Sequence, residues 1–111
     1  MRFFIVIFCL LIIGCAHNQL IVLTSSGSKV EVGKRDPDPG LEEVGPIAVS
    51  SGRGCGRMGV LGTYEASYYL LKNRAAELGM TYVQIMDMVE PHDGQICYDN
   101  KFTIRGRGFK K

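Results

Sequence analysis

The chain has 111 residues, 46% of them hydrophobic, and a formal net charge of only +2. This length suits one small domain rather than several. The small charge argues against a nucleic-acid-binding protein, because such domains carry a marked excess of Lys and Arg.

The N-terminus has the three parts of a secretory signal. Met1-Arg2 is basic, Phe3 to Ile13 is an unbroken apolar run, and the small residue Gly14 precedes Cys15. This order is typical of an export signal. The apolar run is shorter than the about 20 residues that a transmembrane helix needs. The sequence therefore predicts a signal peptide over residues 1–14.

Residues 11–15, Leu-Ile-Ile-Gly-Cys, resemble the lipobox of bacterial lipoproteins. The resemblance implies that Cys15 receives a diacylglyceryl thioether, that the chain is cut before it, and that the new amino group is also acylated, with palmitate among the expected chains. Two or three acyl chains hold a protein firmly at a membrane. By resemblance to enterobacterial lipoproteins, Ala16 in place of Asp favours the outer membrane, facing the periplasm, over retention at the inner membrane. An ordinary signal peptide cut near Cys15 and an uncut N-terminal anchor are the alternatives.

The four cysteines divide into two groups. Cys9 leaves with the signal and Cys15 is the predicted lipidation site, so that Cys55 and Cys97 remain. Two remaining cysteines in an exported chain indicate one disulfide. It would close a loop of about 43 residues, worth roughly 4 kcal/mol in the chain-entropy description. Free thiols, or pairing with another chain, are the alternatives.

Residues 15–43 have the composition of a lipidated, flexible tether with some local structure. Leu20 to Leu23 and Lys29 to Val32 are β-prone runs on either side of a Ser/Gly turn, which fits a hairpin. Asp36 to Gly40 contains two prolines and favours extended or turn geometry. A flexible stretch of about 27 residues would span on the order of 30 Å. We expect the folded domain to occupy residues 44–111.

The folded part is expected to open with an edge strand that begins near Pro46. Residues 51–59 follow and hold four glycines together with Arg53 and Arg57. A phosphate-cradling loop is one interpretation, but no Gly-Lys-Ser/Thr follows and the spacing fits neither nucleotide fingerprint. A flexible loop that lets Cys55 reach its partner is favoured.

The clearest secondary-structure signal is a helix that starts after Thr63. Thr63 is an N-cap residue type, and Gly79 stands where a left-handed residue ends a helix. Apolar residues recur at steps of four, three, four and three, which marks one helix face; they are Tyr64, Tyr68, Leu71, Ala75 and Leu78. We interpret this tyrosine-rich stripe as core, with a ligand-binding face as the alternative.

Thr81 to Val89 follows directly and is apolar on both faces, which is typical of a central strand. Pro91 to Gly94 predicts a turn, and residues 95–98 form a short extended piece before a second turn at residues 99–100.

Residues 101–109 predict the last strand. Gly106 and Gly108 continue the face of Phe102 and Ile104, which suggests a bulge or a close backbone approach. The order of elements predicts an α+β fold, with one helix packed on a small, mostly antiparallel sheet.

The helix-to-strand junction resembles that of small bacterial envelope lipoproteins. Residues 75–83, Ala-Ala-Glu-Leu-Gly-Met-Thr-Tyr-Val, are similar to a junction "A-x-x-L-G-A-N-x-V" found in an uncharacterised lipoprotein family. A distant relative of that family is the outer-membrane lipoprotein that senses envelope stress for the Rcs phosphorelay. The family has one cysteine before the helix and another after the strand, as Cys55 and Cys97 are here. The terminal cysteine of those proteins is missing, so a second bridge and Rcs-type signalling are not inferred.

Catalytic and metal sites find little support in the sequence. His17 lies beside the lipidation site, and His92 lies in a predicted turn next to Asp93, with no paired nucleophile. His92 together with Cys55 and Cys97 lacks the spacing of a closed zinc site. We therefore expect no catalytic residues, no metal and no cofactor.

The C-terminus is basic, with Arg105, Arg107, Lys110 and Lys111. One interpretation is a charged strand edge that resists aggregation. The other is a binding edge for anions or for phospholipid and lipopolysaccharide headgroups.

Together these features predict a lipid-anchored, periplasm-facing module for binding or envelope sensing. Its expected partners are the membrane, through the lipid, and an envelope protein, with no nucleic acid. A structural envelope lipoprotein without a specific ligand is the second interpretation. A thiol-redox enzyme, in which Cys55 and Cys97 cycle, is the third.

Overall fold

The fold is described by a computed structural model over residues 21–111. Its elements in chain order are α1 (Ser25–Ser28), β1 (Glu31–Gly33), β2 (Glu42–Ser51), a 3₁₀ turn (Gly56–Met58), α2 (Tyr64–Glu77), β3 (Tyr82–Val89), β4 (His92–Asp93), β5 (Tyr98–Asp99) and β6 (Phe102–Lys110). Helix α2 packs on a four-stranded sheet. The predicted α+β class, with one main helix on a mostly antiparallel sheet, is confirmed.

The strand order of the main sheet is β1-β3-β6-β2. β6 runs antiparallel to both of its neighbours, whereas β1 and β3 are parallel. β3 is an interior strand, as its two apolar faces predicted. β2 lies at an edge within the described part of the chain, as Pro46 indicated. β4 and β5 form a separate two-stranded sheet.

Helix α2 begins and ends at the residues that its capping signals predicted. The Thr63 hydroxyl accepts a hydrogen bond from the Ala66 N–H (3.2 Å), which satisfies one of the free donors of the first turn. Gly79 has φ +74°, in the left-handed region. The Met80 N–H then donates to the Ala75 carbonyl (2.9 Å), so the chain turns directly into β3.

The core lies between α2 and one face of the sheet. Leu71 and Ile104 are fully buried there, each worth about 1.5–3 kcal/mol relative to exposure. Two glycines of β6 leave room for close neighbours within and above the sheet. A side chain at Gly108 would collide with Met80, and one at Gly106 would collide with the backbone of β3. The predicted close backbone approach is therefore confirmed at Gly106, whereas the close neighbour of Gly108 is the Met80 side chain.

A buried hydroxyl chain fastens the first turns of α2 to the sheet. Ser67 is fully buried and donates to the Phe102 carbonyl (2.7 Å). Because that proton is committed, Ser51 donates to Ser67 across 2.6 Å. The Ser51 oxygen in turn accepts from the Thr63 N–H (3.1 Å). Helix and strands are thus joined by polar bonds as well as by apolar packing.

The predicted boundary between tether and domain at residue 43 is wrong, because the fold already includes residues from Thr24 onward. The Thr24 N–H donates to Asn73 Oδ1 (2.9 Å), and Asn73 Nδ2 donates to the Val22 carbonyl (2.8 Å). Val30 is buried in the core, and Val32 packs against it. The apolar surface of these two valines and the hydrogen bonds of Asn73 together hold the segment on the domain.

The predicted hairpin of residues 20–23 with residues 29–32 is also wrong. β1 pairs in parallel with β3, with Val32 opposite Val83, and residues 21–24 form no strand. β3 offers a long free edge close to the core, so β1 joins that edge rather than pairing locally. Residues 15–20 of the predicted tether lie outside the described residues.

Candidate binding surface at the disulfide end

A disulfide joins the two long loops at one end of the sheet. Cys55 and Cys97 are bonded, with their Cα atoms 5.6 Å apart. Cys55 follows β2, and Cys97 lies between β4 and β5. The predicted pairing is confirmed. We call residues 52–62 and 90–101, the two loops that it joins, the loop platform.

The glycine-rich loop is shaped by left-handed backbone. Gly52, Gly54 and Gly56 have φ of +84°, +71° and +68°, values that side-chain-bearing residues rarely adopt. Between them the chain doubles back, and Arg53 and Val60 exchange backbone hydrogen bonds of 2.9 and 2.8 Å. The glycines thus bring Cys55 to its partner, which is the interpretation the sequence favoured over a phosphate cradle.

Asn100 connects the two halves of the loop platform from inside. Its side chain is buried, and Nδ2 donates to the Gly56 carbonyl (3.0 Å). Its own carbonyl accepts from the Gly62 N–H (2.7 Å). A side chain at Gly59 would collide with the Asn100 amide. The sequence marked this asparagine only as part of a turn, so its structural role was missed.

Large apolar side chains project from the loop platform into solvent. Met58 and Ile96 are each 98% exposed, and Leu61 and Tyr98 are also exposed. Ile96 is adjacent to Cys97 in the chain, and Met58 lies three residues after Cys55. A cleft of about 520 Å³ lies beside the bridge; it is lined by Gly54, Cys55, Gly94, Gln95, Ile96, Cys97, Asp99 and Lys101. This surface is suited to non-covalent contact with an apolar partner.

His92 lies in β4 rather than in the predicted turn. It is exposed, its Nδ1 lies 3.0 Å from the Glu90 carbonyl oxygen, and it pairs with Asp99 of β5. The chain turns later, where the Gly94 N–H donates to the Cys97 carbonyl (2.9 Å). The turn predicted at Pro91 to Gly94 is wrong by about three residues. Within residues 21–111, no group of three or more His, Cys, Asp or Glu side chains is placed to hold a metal.

The basic C-terminus does not form a strand edge, because β6 is paired on both sides. Arg105 lies 3.4 Å from Asp87, and Arg107 lies 3.8 Å from Glu43, so each guanidinium has an acidic neighbour. Lys110 and Lys111 are exposed at the end of the strand. The prediction of an edge is therefore wrong, and the acidic partners offset much of the positive charge that an anion site would need.

The opposite end of the sheet is closed by Arg35 and Tyr82. The Arg35 guanidinium lies 4.7 Å from the centre of the Tyr82 ring, and the Tyr82 hydroxyl donates to the Arg35 carbonyl (2.6 Å). Burial raises the pKa of the Tyr82 hydroxyl. Glu31 and Asp38 bind the same guanidinium at 2.7 and 3.0 Å. These carboxylates, Glu31 first, raise the pKa of Arg35 above its ordinary value. These groups are engaged with one another, so we assign them to holding the loop after β1 on the sheet.

The predicted signal peptide over residues 1–14 and the predicted lipidation site at Cys15 lie outside the described residues. No helix within residues 21–111 has both the length and the apolar character to cross a bilayer. No protein-family profile, curated protein or solved structure matches the chain.

Proposed function

We propose that the chain is a lipid-anchored module of the bacterial cell envelope that faces the periplasm and binds an envelope protein through the loop platform. One observation carries the proposal: Met58 and Ile96 are almost fully exposed on loops that a disulfide joins. Burying a side chain of this kind gains about 1.5–3 kcal/mol. A partner that covers both therefore gains roughly 3–6 kcal/mol from these two contacts alone.

Two features support the envelope location. Disulfides persist in oxidising compartments such as the periplasm and are rare in the cytosol. Leu11 to Cys15 resembles a lipobox, and Met1-Arg2 followed by an apolar run fits an export signal. The segment between Cys15 and Thr24 spans at most about 30 Å even when fully extended. A lipid on Cys15 would therefore hold the domain close to the membrane surface.

The anchor is tested by a Cys15→Ser substitution in the full-length chain. We expect the wild-type protein to sediment with membranes and to carry the added mass of its acyl chains. We expect Cys15→Ser to lose that mass and to leave the membrane fraction or remain unprocessed. Unchanged mass, processing and fractionation in the variant would refute the anchor.

The binding surface is tested by photocrosslinking in intact cells. A photoreactive amino acid at position 58 or 96 should give one dominant crosslinked product. Lys34, an exposed residue on the loop after β1 at the other end of the sheet, provides the matched control and should not give that product. The same weak, diffuse products at all three positions would instead indicate a structural lipoprotein without a specific ligand.

A thiol-redox enzyme is the second candidate, because Cys55 is exposed and lines the cleft of the loop platform. A redox-active bridge should be reduced rapidly in the folded protein, after which the thiols label with iodoacetamide. It should also sustain reduction of a model substrate such as insulin by dithiothreitol. A bridge that opens only after unfolding would leave the binding module as the better interpretation.

A further inference from the structure

The outer side of α2 carries little charge. Asn73 follows the buried Leu71 by two residues, and two residues turn a helix by about 200°, so Asn73 lies on the side away from the sheet. The other residues on that side are mostly apolar and partly exposed; they are Ala66, Tyr69, Leu70 and Ala76. Glu77 also lies there, but it is paired with Arg74 (3.0 Å). A helix side that faces only water normally carries charged residues, so this composition indicates a less polar neighbour.

The chain enters the domain on this same side. Asn73 Oδ1 accepts from the Thr24 N–H (2.9 Å) and from the Thr24 hydroxyl (3.0 Å), and Asn73 Nδ2 donates to the Val22 carbonyl (2.8 Å). Gly27 of α1 fits closely beside them, because a side chain there would collide with the Asn73 amide. Val22 is 65% exposed and adds apolar surface next to the helix. We call Val22 and the outer side of α2 together the α2 face.

The chain that precedes this attachment is short. Val22 lies seven residues after Cys15, a stretch that spans at most about 25 Å when fully extended. The far face of the sheet lies beyond α2, which is about 10 Å across, and beyond the sheet itself. A chain that starts at Val22 would have to pass round both to reach that face. The length and the place of the attachment therefore favour a membrane on the α2 side for a lipid on Cys15.

We propose that the α2 face lies on the surface of a phospholipid bilayer, and that the hydrogen bonds of Asn73 fix this orientation. The inference rests on the proposed lipid anchor. Tyrosine is enriched at the membrane–water interface, where its ring meets acyl chains and its hydroxyl meets headgroups. Tyr69, near the middle of α2, is placed for this role. The loop platform, next to the start of α2, lies at the edge of the contact and stays open to the proposed partner.

Fluorescence quenching of the acylated full-length chain in vesicles tests the orientation. The vesicles contain phosphatidylethanolamine, phosphatidylglycerol and a lipid that carries a nitroxide quencher on its headgroup. An introduced cysteine is labelled selectively with a thiol-reactive fluorophore, because Cys55 and Cys97 are bonded to each other and Cys15 would carry the lipid. The label therefore reports the distance of one chosen position from the bilayer.

Two alanine-to-cysteine variants form a matched pair. Ala66→Cys places the label on the α2 face. Ala48→Cys places it on the far face of the sheet, because Ala48 alternates with Ile47 and Val49, which contribute to the core. The label at position 66 should be quenched at least about threefold more strongly, since it would lie roughly 15 Å closer to the headgroups across the helix and the sheet.

Flotation of the vesicles separates this inference from the anchor on which it rests. The acylated chain should float with the vesicles, and Cys15→Ser should not. If the acylated chain fails to float, the anchor is refuted and the orientation with it. If it floats but the label at position 66 is quenched no more than the label at position 48, the orientation alone is overturned.

Asn73→Ala tests whether the entry segment fixes the orientation. The substitution frees Val22 and Thr24, and the next apolar residue that holds the chain is the buried Val30, so the tether about doubles in length. The excess quenching at position 66 should then fall at least about twofold, with flotation unchanged. Glu77→Ala is the control, because Glu77 lies on the same side and bonds Arg74 rather than the entry segment. Full excess quenching in Asn73→Ala would overturn the role of Asn73.

Discussion

Ser67→Ala is expected to destabilise the domain although it makes the core more apolar. Ser67 is fully buried and bonds both Phe102 and Ser51. Without its hydroxyl, the Ser51 proton can turn to the Thr63 carbonyl at 3.1 Å, but the Phe102 carbonyl loses its side-chain donor. The Phe102 carbonyl keeps its backbone partner in β2, so the cost is that of the two hydrogen bonds of the Ser67 hydroxyl, about 0.5–1.5 kcal/mol each, or about 1–3 kcal/mol together. Alanine has a higher helix propensity than serine, and this offsets about 0.5 kcal/mol of that cost. The net loss should be about 1–2 kcal/mol.

Urea unfolding with the disulfide intact measures this loss, which corresponds to a Tm lower by roughly 5–15 °C. Ser50→Ala is the control. It removes a 2.7 Å hydrogen bond to Thr103 on the exposed face of the sheet, and it should cost less than about 0.5 kcal/mol. In a double-mutant cycle, Ser51→Ala should couple to Ser67→Ala by more than about 0.5 kcal/mol. If Ser67→Ala leaves stability unchanged or raises it, the hydroxyl chain does not fasten the helix.

Three further perturbations test other parts of the fold. Replacing Cys55 and Cys97 together with serine should lower the free energy of unfolding by about 4 kcal/mol, as measured by urea unfolding. A loss below about 1 kcal/mol would contradict the idea that the disulfide stabilises the fold by restricting the unfolded chain. Val30→Ala should lower the free energy of unfolding by about 2 kcal/mol in the same assay, whereas the same substitution in a flexible tether would leave it unchanged. Tyr82→Phe should cost about 1 kcal/mol at pH 7 for the hydrogen bond to Arg35. Because folding raises the pKa of Tyr82, wild-type stability is full below the unfolded value of about 10 and falls as pH rises through the folded value. When the free energy of unfolding is measured as a function of pH, the Tyr82→Phe variant should not show the part of the fall at alkaline pH that comes from ionisation of Tyr82.

The elements that the sequence predicted best are those with a local physical cause. The N-cap at Thr63 and the left-handed Gly79 fix the limits of α2 through interactions within one turn. The glycines of β6 were also interpretable, since an unbroken face that ends in Gly106 and Gly108 leaves room for a close neighbour. The disulfide followed from elimination among four cysteines and from the expected compartment.

The features that the sequence did not predict depend on tertiary partners. The apolar stripe identified Leu71 and Ala75 correctly, but Ser67 is buried beside them because the sheet supplies hydrogen-bond partners. Tyr64 and Leu78, at the ends of that stripe, are exposed instead. Polar residues enter a core only where acceptors meet them, and hydrophobic periodicity contains no information about such acceptors.

Two further corrections have the same origin. Val30 looks like part of a linker until β3 is present as a parallel neighbour, which lies some fifty residues later in the chain. The basic residues of β6 looked like a free edge because the antiparallel neighbour on the far side, β2, precedes them by about sixty residues. Pairings between distant segments are not encoded in any local pattern of residues.

The two ends of the sheet treat their apolar groups in opposite ways, and this contrast supports a binding role for the loop platform. At one end Tyr82 is only 2% exposed under the loop that carries Arg35, and its ring and hydroxyl both bind that loop. At the other end the disulfide and the buried Asn100 hold the loops. Because covalent and polar bonds fix the backbone there, Met58 and Ile96 are not needed for folding. Their exposure is therefore compatible with a rigid surface, and a preorganised apolar surface binds a partner at a lower entropic cost than a mobile one.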